Sequence, residues 1–383
     1  MKLLAFLGTG GLQGYQRAIY RWNGSDYDTE YVQEAFAHWL QPEETCIVLT
    51  QGARAKHWDA LRLRLEPCTQ VRAVDIPDGR SEAELWDIFD AICEVVQEGD
   101  EIAFDITHGF RSLPMIAMLT IAYLKQVKGV QVRYVLYGAY EARDANNVAP
   151  VFDLTPFAAL LDWLAAAKMF IATGDARELG RLSEQVQNIA YREQGGGSEN
   201  LPRTLKNFGN AAGEVSESLL LTRIPRLPET IRNFTEQKQQ AQAEVQQWAR
   251  PLAPLLDRMA AAYQPFQENA LATHAALIQW YFENNHVAQA VLLAREWVIS
   301  YYLHQQMLPP DQRQAAEDAL NERAKRHASD PLTKLWSRVR DVRNDLAHCG
   351  FGRAEGQALS ASNLRRNAVE IVQQIREMAQ TGS

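Results

Sequence analysis

The strongest constraint on this chain is a rhythm in its first 155 residues. Short apolar runs, KLLAFLG, TCIVLTQ, VRAVDIP, DEIAFDIT and VRYVLYGA, alternate with stretches of helical periodicity, TEYVQEAFAHWL, SEAELWDIFDAICEVVQ and LPMIAMLTIAYLKQV. Strands alternating with amphipathic helices read as a Rossmann-like α/β domain, a mostly parallel sheet with helices on both faces. After Pro156 the strand signals stop, and FAALLDWLAAAKMFIATGDARELGRL opens a half that reads all-α to its end. The expected division is an α/β domain at 1–155, a helical connecting region at 156–262 and a last helical domain at 263–383. REQGGGSENLP reads as a flexible loop, and residues 235–248 as a Gln-rich solvated helix. The strongest helices of the last region are ALIQWYFENNHVAQAVLLAREWVISYYL, DPLTKLWSRVRDVRNDLAHCG and NLRRNAVEIVQQIREMAQ.

Composition narrows the function classes. With 383 residues and 46% hydrophobic content the chain buries real cores, which argues against global disorder. The apolar start MKLLAFLGTGG is broken by glycines too early for a signal peptide or a membrane span, so no membrane is expected and the run reads as a first strand. Cys46, Cys68, Cys93 and Cys349 lack CxxC spacing and clustered histidines, which speaks against zinc and disulfides and for a reducing cytoplasm; no metal site is expected. A net charge of -8 argues against a surface that attracts nucleic acid everywhere, so a polyanion would have to be met in a local basic pocket.

The densest chemistry of the first domain lies in FDITHGFRSLP. Asp105 closes a strand, Thr107 and His108 offer donors, Gly109 permits close backbone approach, and Arg111 and Ser112 suit a phosphate at a helix N-terminus. The same residues also fit a plain strand-to-helix turn with Ser112 as N-cap and Pro114 early in the helix. LGTGGLQG follows the first strand and makes a phosphate-sized turn with Gly8, Thr9, Gly10 and Gly11, although the GxGxxG fingerprint is not in register. Gln51 and Gly52, in a loop after the second apolar run, and Tyr137 and Gly138, in a loop after the last, could line the same crevice or be ordinary turns.

A third motif, RNDLAH, sits near the end of a helix that also carries Arg338 and Arg340. Asn344 and His348 are four residues apart and share a face, whereas Arg343 lies roughly 140° from His348 but has a long reach. Gly350 suits a helix stop just beyond His348. A histidine that moves protons near neutral pH and an arginine that holds a phosphate would suffice for metal-free RNA cleavage. A solvated basic helix end with His348 capping carbonyls fits the same spacing.

Together, DITHG at 105–109 and RNDLAH at 343–348 resemble CRISPR-associated proteins of the DxTHG group, in which a CARF domain (a CRISPR-associated Rossmann fold) precedes a HEPN nuclease domain. HEPN nucleases carry an Arg, four to six residues and a His, commonly with a polar residue after the Arg; the matching positions are Arg343, Asn344 and His348. The resemblance implies a homodimer in which two CARF domains share a ring-shaped cyclic oligoadenylate, cyclic tetra-adenylate being the expected activator. It also implies that two HEPN motifs meet to cleave single-stranded RNA without a cofactor, in type III CRISPR antiviral defence. The 2′-hydroxyl would attack the adjacent phosphate, leaving a cyclic phosphate and a free 5′-hydroxyl. One departure is that many CARF domains have a lysine in the loop where Arg111 is nearest.

Two other classes fit less of the chain. A nicotinamide- or nucleotide-dependent Rossmann enzyme leaves RNDLAH without a role and lacks the ribose-binding acid where TCIVLTQG ends in Thr50 and Gln51. A non-catalytic regulator that binds DNA through the helical half has the acidic charge against it, and no basic recognition helix for it.

Overall fold

The computed structural model describes residues 1–10, 14–108, 113–194, 201–327, 329–351 and 357–381. Eight strands are ordered β3-β2-β8-β7-β6-β1-β4-β5 in one sheet. They are β1 (Lys2–Leu7), β2 (Ala18–Trp22), β3 (Ser25–Thr29), β4 (Glu44–Leu49), β5 (Gln70–Asp75), β6 (Glu101–Asp105), β7 (Gln131–Gly138) and β8 (Val148–Asp153). β1 pairs in parallel with β4 and β6, β4 with β5, β6 with β7 and β2 with β8, while β2–β3 and β7–β8 are antiparallel. This is the Rossmann-like, mostly parallel sheet that the apolar rhythm predicts, followed by the all-helical half.

Alternation along the central strands sends their side chains into two cores, as period-two geometry requires. Leu3, Ala5, Leu7, Ile47 and Leu49 meet Val32, Phe36, Leu61 and Leu65 of the Val32–Leu40 and Asp59–Leu65 helices. On the opposite face Leu4, Phe6, Cys46, Val48 and Phe104 meet Ile88, Ile92, Ala117 and Ile121 of the Glu82–Val95 and Leu113–Lys128 helices. Ser81 starts the first of these two by accepting a hydrogen bond from Glu84 N.

Three features differ from the sequence reading. β2 and β3 form a hairpin that the apolar rhythm misses; its signal is Asn23-Gly24, both at positive φ (50° and 80°), the pairing that tight hairpin turns prefer. Charged pairs cross this ladder, Arg17 with Asp28 and Arg21 with Asp26. Gln51 and Gly52 open a helix instead of a loop, because the Thr50 side chain accepts from Ala53 N and caps it. Tyr137 and Gly138 belong to β7, because β8 pairs with its end.

The chain divides into two compact units, Met1–Asp162 and Trp163–Ser383. In the second, the Arg177–Gln194 and Leu205–Leu220 helices cross closely: a Cβ on Gly209 would lie 3.0 Å from Gly180 Cα. The Leu227–Trp248 helix, Gln-rich as expected, buries one face through Phe234, Ala241 and Val245. The Gly-rich 195–200 stretch lies outside the described residues. The helices Leu271–Glu283, Val287–Gln305, Arg313–Arg326, Pro331–Ala347 and Ala361–Thr381 follow. Among the described residues Thr155–Thr173 is long and apolar enough to cross a membrane, but it holds Asp162 paired with Lys125, and it buries Trp163, Ala166 and Phe170. Those features are those of a packed helix.

Gly138 is a packing position. A Cβ there would stand 2.6 Å from Val32 Cγ2 and 3.1 Å from Tyr20 Cε1, both buried side chains. Gly138→Ala is expected to lower stability by about 1–3 kcal/mol, the range for overpacking a core. Urea unfolding measures this, and an unchanged midpoint would mean that the Tyr20–Val32 contact yields freely.

Candidate ligand and catalytic sites

Strands β1 and β4 end in register, Leu7 with Leu49, and β6 ends two residues short of them, Asp105 opposite Ala5. The segments Gly8–Gly10, Thr50–Gly52 and Ile106–His108 therefore leave the sheet at one edge. Gly10 has φ 67°, and a Cβ on it would come within 3.0 Å of Gly14 Cα, so this turn folds back on itself as only glycine allows. A Cβ on Gly52 would lie 3.3 Å from Thr9 Cγ2, so the β1 turn touches the capped helix start.

The β6 turn is held by its own side chains. Asp105 Oδ1 accepts from Thr107 N at 2.8 Å, an Asx turn, and Thr107 Oγ1 accepts from Gly138 N at 2.8 Å. Asp105 is wholly buried and its Oδ2 has no hydrogen-bond partner among the described residues. Burial pushes its carboxyl up to about 7, although hydrogen bonds from Thr107 pull the other way. His108 Nε2 is also buried, with no hydrogen-bond partner among the described residues; burial, and next the neighbouring His57, push that imidazole down to about 4. At neutral pH His108 is uncharged and Asp105 stands near its midpoint.

Three aromatic residues outside the sequence motifs complete this edge. The Tyr15 hydroxyl accepts from Gly8 N at 2.9 Å and donates to Gly8 O at 3.1 Å, clamping the β1 turn by both backbone groups. Its ring meets His57 and His108 edge-on, each at 4.7 Å, and Tyr31 at 5.3 Å. His57 Nε2 lies 3.1 Å from Thr9 O, and Nδ1 lies 3.3 Å from the Tyr31 hydroxyl. A carbonyl only accepts, so Nε2 carries the proton and Nδ1 accepts from Tyr31. Among the expected residues, Gly8, Thr9, Gly10, Gly52, Thr107 and His108 lie in these contacts, with Asp105 beneath them. Gln51 is exposed at the helix start. Tyr137 points to the opposite sheet face and stacks on Phe152 at 6.5 Å. Gly11, Gly109, Arg111 and Ser112 lie outside the described residues.

Residues 69–141, from before β5 to beyond β7 and including the Asp105–His108 turn, match the family model described as CRISPR system endoribonuclease Csx1, CARF domain. This segment is similar to a CARF domain. It is also similar to CRISPR-associated protein MJ1674 of Methanocaldococcus jannaschii, 30% identical over 120 residues. That likeness covers 30% of this chain and 19% of the relative, so the chain spans about a fifth of that protein's length.

RNDLAH closes the Pro331–Ala347 helix, which Asp330 caps by accepting from Thr333 N at 3.1 Å. Leu332, Leu335, Trp336, Val339 and Val342 form its buried stripe, leaving Asn344 and His348 exposed. The helix stops in a Schellman motif: Gly350 N donates to Asp345 O at 2.9 Å and Cys349 N to Leu346 O at 3.1 Å. His348 is the last half-helical residue, and the left-handed position falls on Cys349 (φ 51°), one residue before Gly350. Arg343 Nη1 donates to Asn344 Oδ1 at 3.1 Å, while Arg343 Nε is buried and has no hydrogen-bond partner among the described residues. Asp345, missed by sequence reasoning, is buried and accepts from Leu359 N at 3.2 Å, which ties the returning chain under the helix end. Among the described residues no group of His, Cys, Asp and Glu could hold a metal.

The raised Asp105 carboxyl makes stability depend on pH. The unfolded chain releases this proton near the ordinary carboxylate value while the folded chain keeps it to about pH 7. Stability therefore falls as pH rises from about 4 to 7, by on the order of 4 kcal/mol from this group alone, and stays low above. Asp105→Asn is expected to be more stable than the parent at pH 8 and to match it near pH 4. Denaturant unfolding across that range tests it, and parallel curves would mean that Asp105 is ionised throughout.

Proposed function

We propose that this protein is a homodimeric, cyclic-oligoadenylate-activated endoribonuclease of type III CRISPR defence, with cyclic tetra-adenylate as activator and single-stranded RNA as substrate. The observation that carries the reading is the Asp105–His108 turn, which stands inside the matched CARF segment and at the sheet edge where α/β folds receive phosphate-bearing ligands. The activator's phosphates meet the backbone N–H groups of Thr9 and Gly10, and Arg111 supplies the cation. Tyr15 holds the preceding residue, Gly8, in place.

RNA is cut in the helical half at Arg343, Asn344 and His348. The 2′-oxygen forms a bond to the adjacent phosphorus and its proton passes to a base; the phosphorus–O5′ bond breaks and O5′ takes a proton. His348 serves proton transfer, and Arg343 stabilises the charge that gathers on the phosphate. The buried, unpartnered Nε of Arg343 supports this role, since such a donor costs about 1–3 kcal/mol until an anion meets it. One Arg and one His are few groups for this reaction, and a second copy doubles them.

Purified protein incubated with labelled RNA is expected to cleave it when cyclic tetra-adenylate is present, and equally with added chelator. His348→Ala and Arg343→Ala should each abolish most cleavage while keeping activator affinity, and Asn344→Ala should be milder. Wild-type rates from a folded, dimeric His348→Ala protein would reduce the chain to a sensor whose output lies elsewhere. Tyr15→Phe, which loses both bonds to Gly8, is expected to weaken activator binding about tenfold, corresponding to roughly 1.4 kcal/mol. Calorimetric titration measures it, and unchanged affinity would remove Tyr15 and its turn from the ligand site.

A further inference from the structure

The arginines of the last helices differ in what orients them. Arg295, Arg313, Arg323, Arg338 and Arg340 each lie within ion-pair distance of a carboxylate, that of Glu317, Glu296, Asp330, Glu370 and Asp341 respectively. Around RNDLAH the acceptors are asparagines instead. Arg343 Nη1 donates to Asn344 Oδ1 at 3.1 Å, Arg365 Nη2 to Asn285 Oδ1 at 2.7 Å, and Arg366 Nη2 to Asn363 Oδ1 at 3.1 Å. A carboxylate cancels the charge that it orients, whereas an amide oxygen fixes the guanidinium fork and leaves its charge whole.

These three guanidiniums belong to one place. The Ala361–Thr381 helix runs antiparallel to Pro331–Ala347: Arg338 pairs with Glu370 at 2.7 Å and, further along, Asp345 accepts from Leu359 N at 3.2 Å. The start of the last helix, with Arg365 and Arg366 exposed on it, therefore stands beside the helix end that carries Arg343 and His348. The carboxylates of this end are engaged. Asp345 is buried under the returning chain, Glu370 is held by Arg338, and Glu283, nearest along the chain to Asn285, accepts from Gln279 Nε2 at 2.7 Å. One turn beyond His348 comes an aromatic ring: Phe351 N donates to His348 O at 2.8 Å, and the side chain is left in solvent, the residue being 92% exposed.

We infer that Arg365, Arg366 and Phe351 form a bed for an unpaired RNA strand: the two guanidiniums take backbone phosphates that flank the one at Arg343, and the Phe351 ring stacks on a base. Oriented guanidinium forks match the two oxygens of a phosphate. An aromatic ring among uncompensated cations matches a single strand, which offers charge and exposed π-faces together. A duplex keeps its bases stacked inside and gives the ring nothing to meet. In a chain of net charge -8 this is the kind of local basic site that a polyanion requires. Phosphate and π-face are common to every nucleotide, so the bed holds the strand without choosing its sequence. This rests on the RNA-cutting reading above and names the residues that seat the substrate.

The test uses the full chain with cyclic tetra-adenylate present and a fluorescein-labelled single-stranded RNA methylated at every 2′-oxygen, which cannot supply the attacking hydroxyl. Its binding is followed by anisotropy over a salt series. Arg365→Gln and Arg366→Gln are each expected to weaken binding about tenfold. Each should also reduce the slope of log affinity against log salt by roughly 0.7, the share of one phosphate on a single strand. Phe351→Ala should weaken binding by about tenfold with the slope unchanged, Phe351→Trp should restore it, and a duplex of the same sequence should respond to neither. Arg326→Gln removes an exposed arginine from another helix and should alter neither affinity nor slope, which separates the site from net charge. Wild-type affinity and slope in both arginine variants, in protein that still cuts unmodified RNA, would overturn the bed and leave the nuclease reading standing. Unchanged affinity in Phe351→Ala would remove the ring from it. A wild type that neither binds the probe nor cuts unmodified RNA would overturn both readings.

Discussion

A strand paired in parallel on both sides has only its ends to offer. β1 lies between β4 and β6, its faces sealed by two helical layers, so no ligand reaches it except where Leu7 gives way to Gly8. The parallel course of β1, β4 and β6 collects three chain segments at that edge, and the remaining features of the N-terminal unit follow from holding them there. The Tyr15 hydroxyl occupies both backbone groups of Gly8, the Thr107 hydroxyl receives the N–H of Gly138, and His57 bridges Thr9 and Tyr31. Each loop is tied to another strand or helix.

That economy makes the exceptions informative. Buried polar atoms without partners are rare in folded proteins, yet Asp105 Oδ2 and His108 Nε2 both lie on one four-residue turn. Burial pushes the two groups towards their neutral forms, so the turn can receive an anionic ligand without opposing it with a full negative charge. In the helical unit the comparable exception is Arg343 Nε, on the residue that the HEPN resemblance also singles out.

The fold class was legible because it rests on periodicity, which a sequence displays directly; the five apolar runs are β1, β4, β5, β6 and β7. The β2–β3 hairpin was missed since its strands, AIYRW and SDYDT, carry charges in place of an apolar run, although Asn23-Gly24 marks their turn. The glycines and the DITH turn could be singled out because their chemistry is local. Tyr15, Tyr31 and His57 could not, because they reach the Gly8–Thr9 turn from as far as 48 residues along the chain and no spacing encodes that meeting. Asp345 was hidden inside a motif read for its neighbours: its buried carboxylate serves the backbone of Leu359, a contact that only the folded return of the chain creates.

The two outermost strands carry a last consequence. A bare strand edge is a template on which another chain can polymerise. Here one rim is β3, with Asp26 and Asp28 paired to Arg21 and Arg17, and the other is β5, with Arg72 and Asp75 along it and Asp75 bound to Arg54. Charge at both rims sets a desolvation cost against continuing the ladder into a neighbour. The sheet thus stays closed to growth, and fibril-like association is discouraged by the same residues that finish the fold.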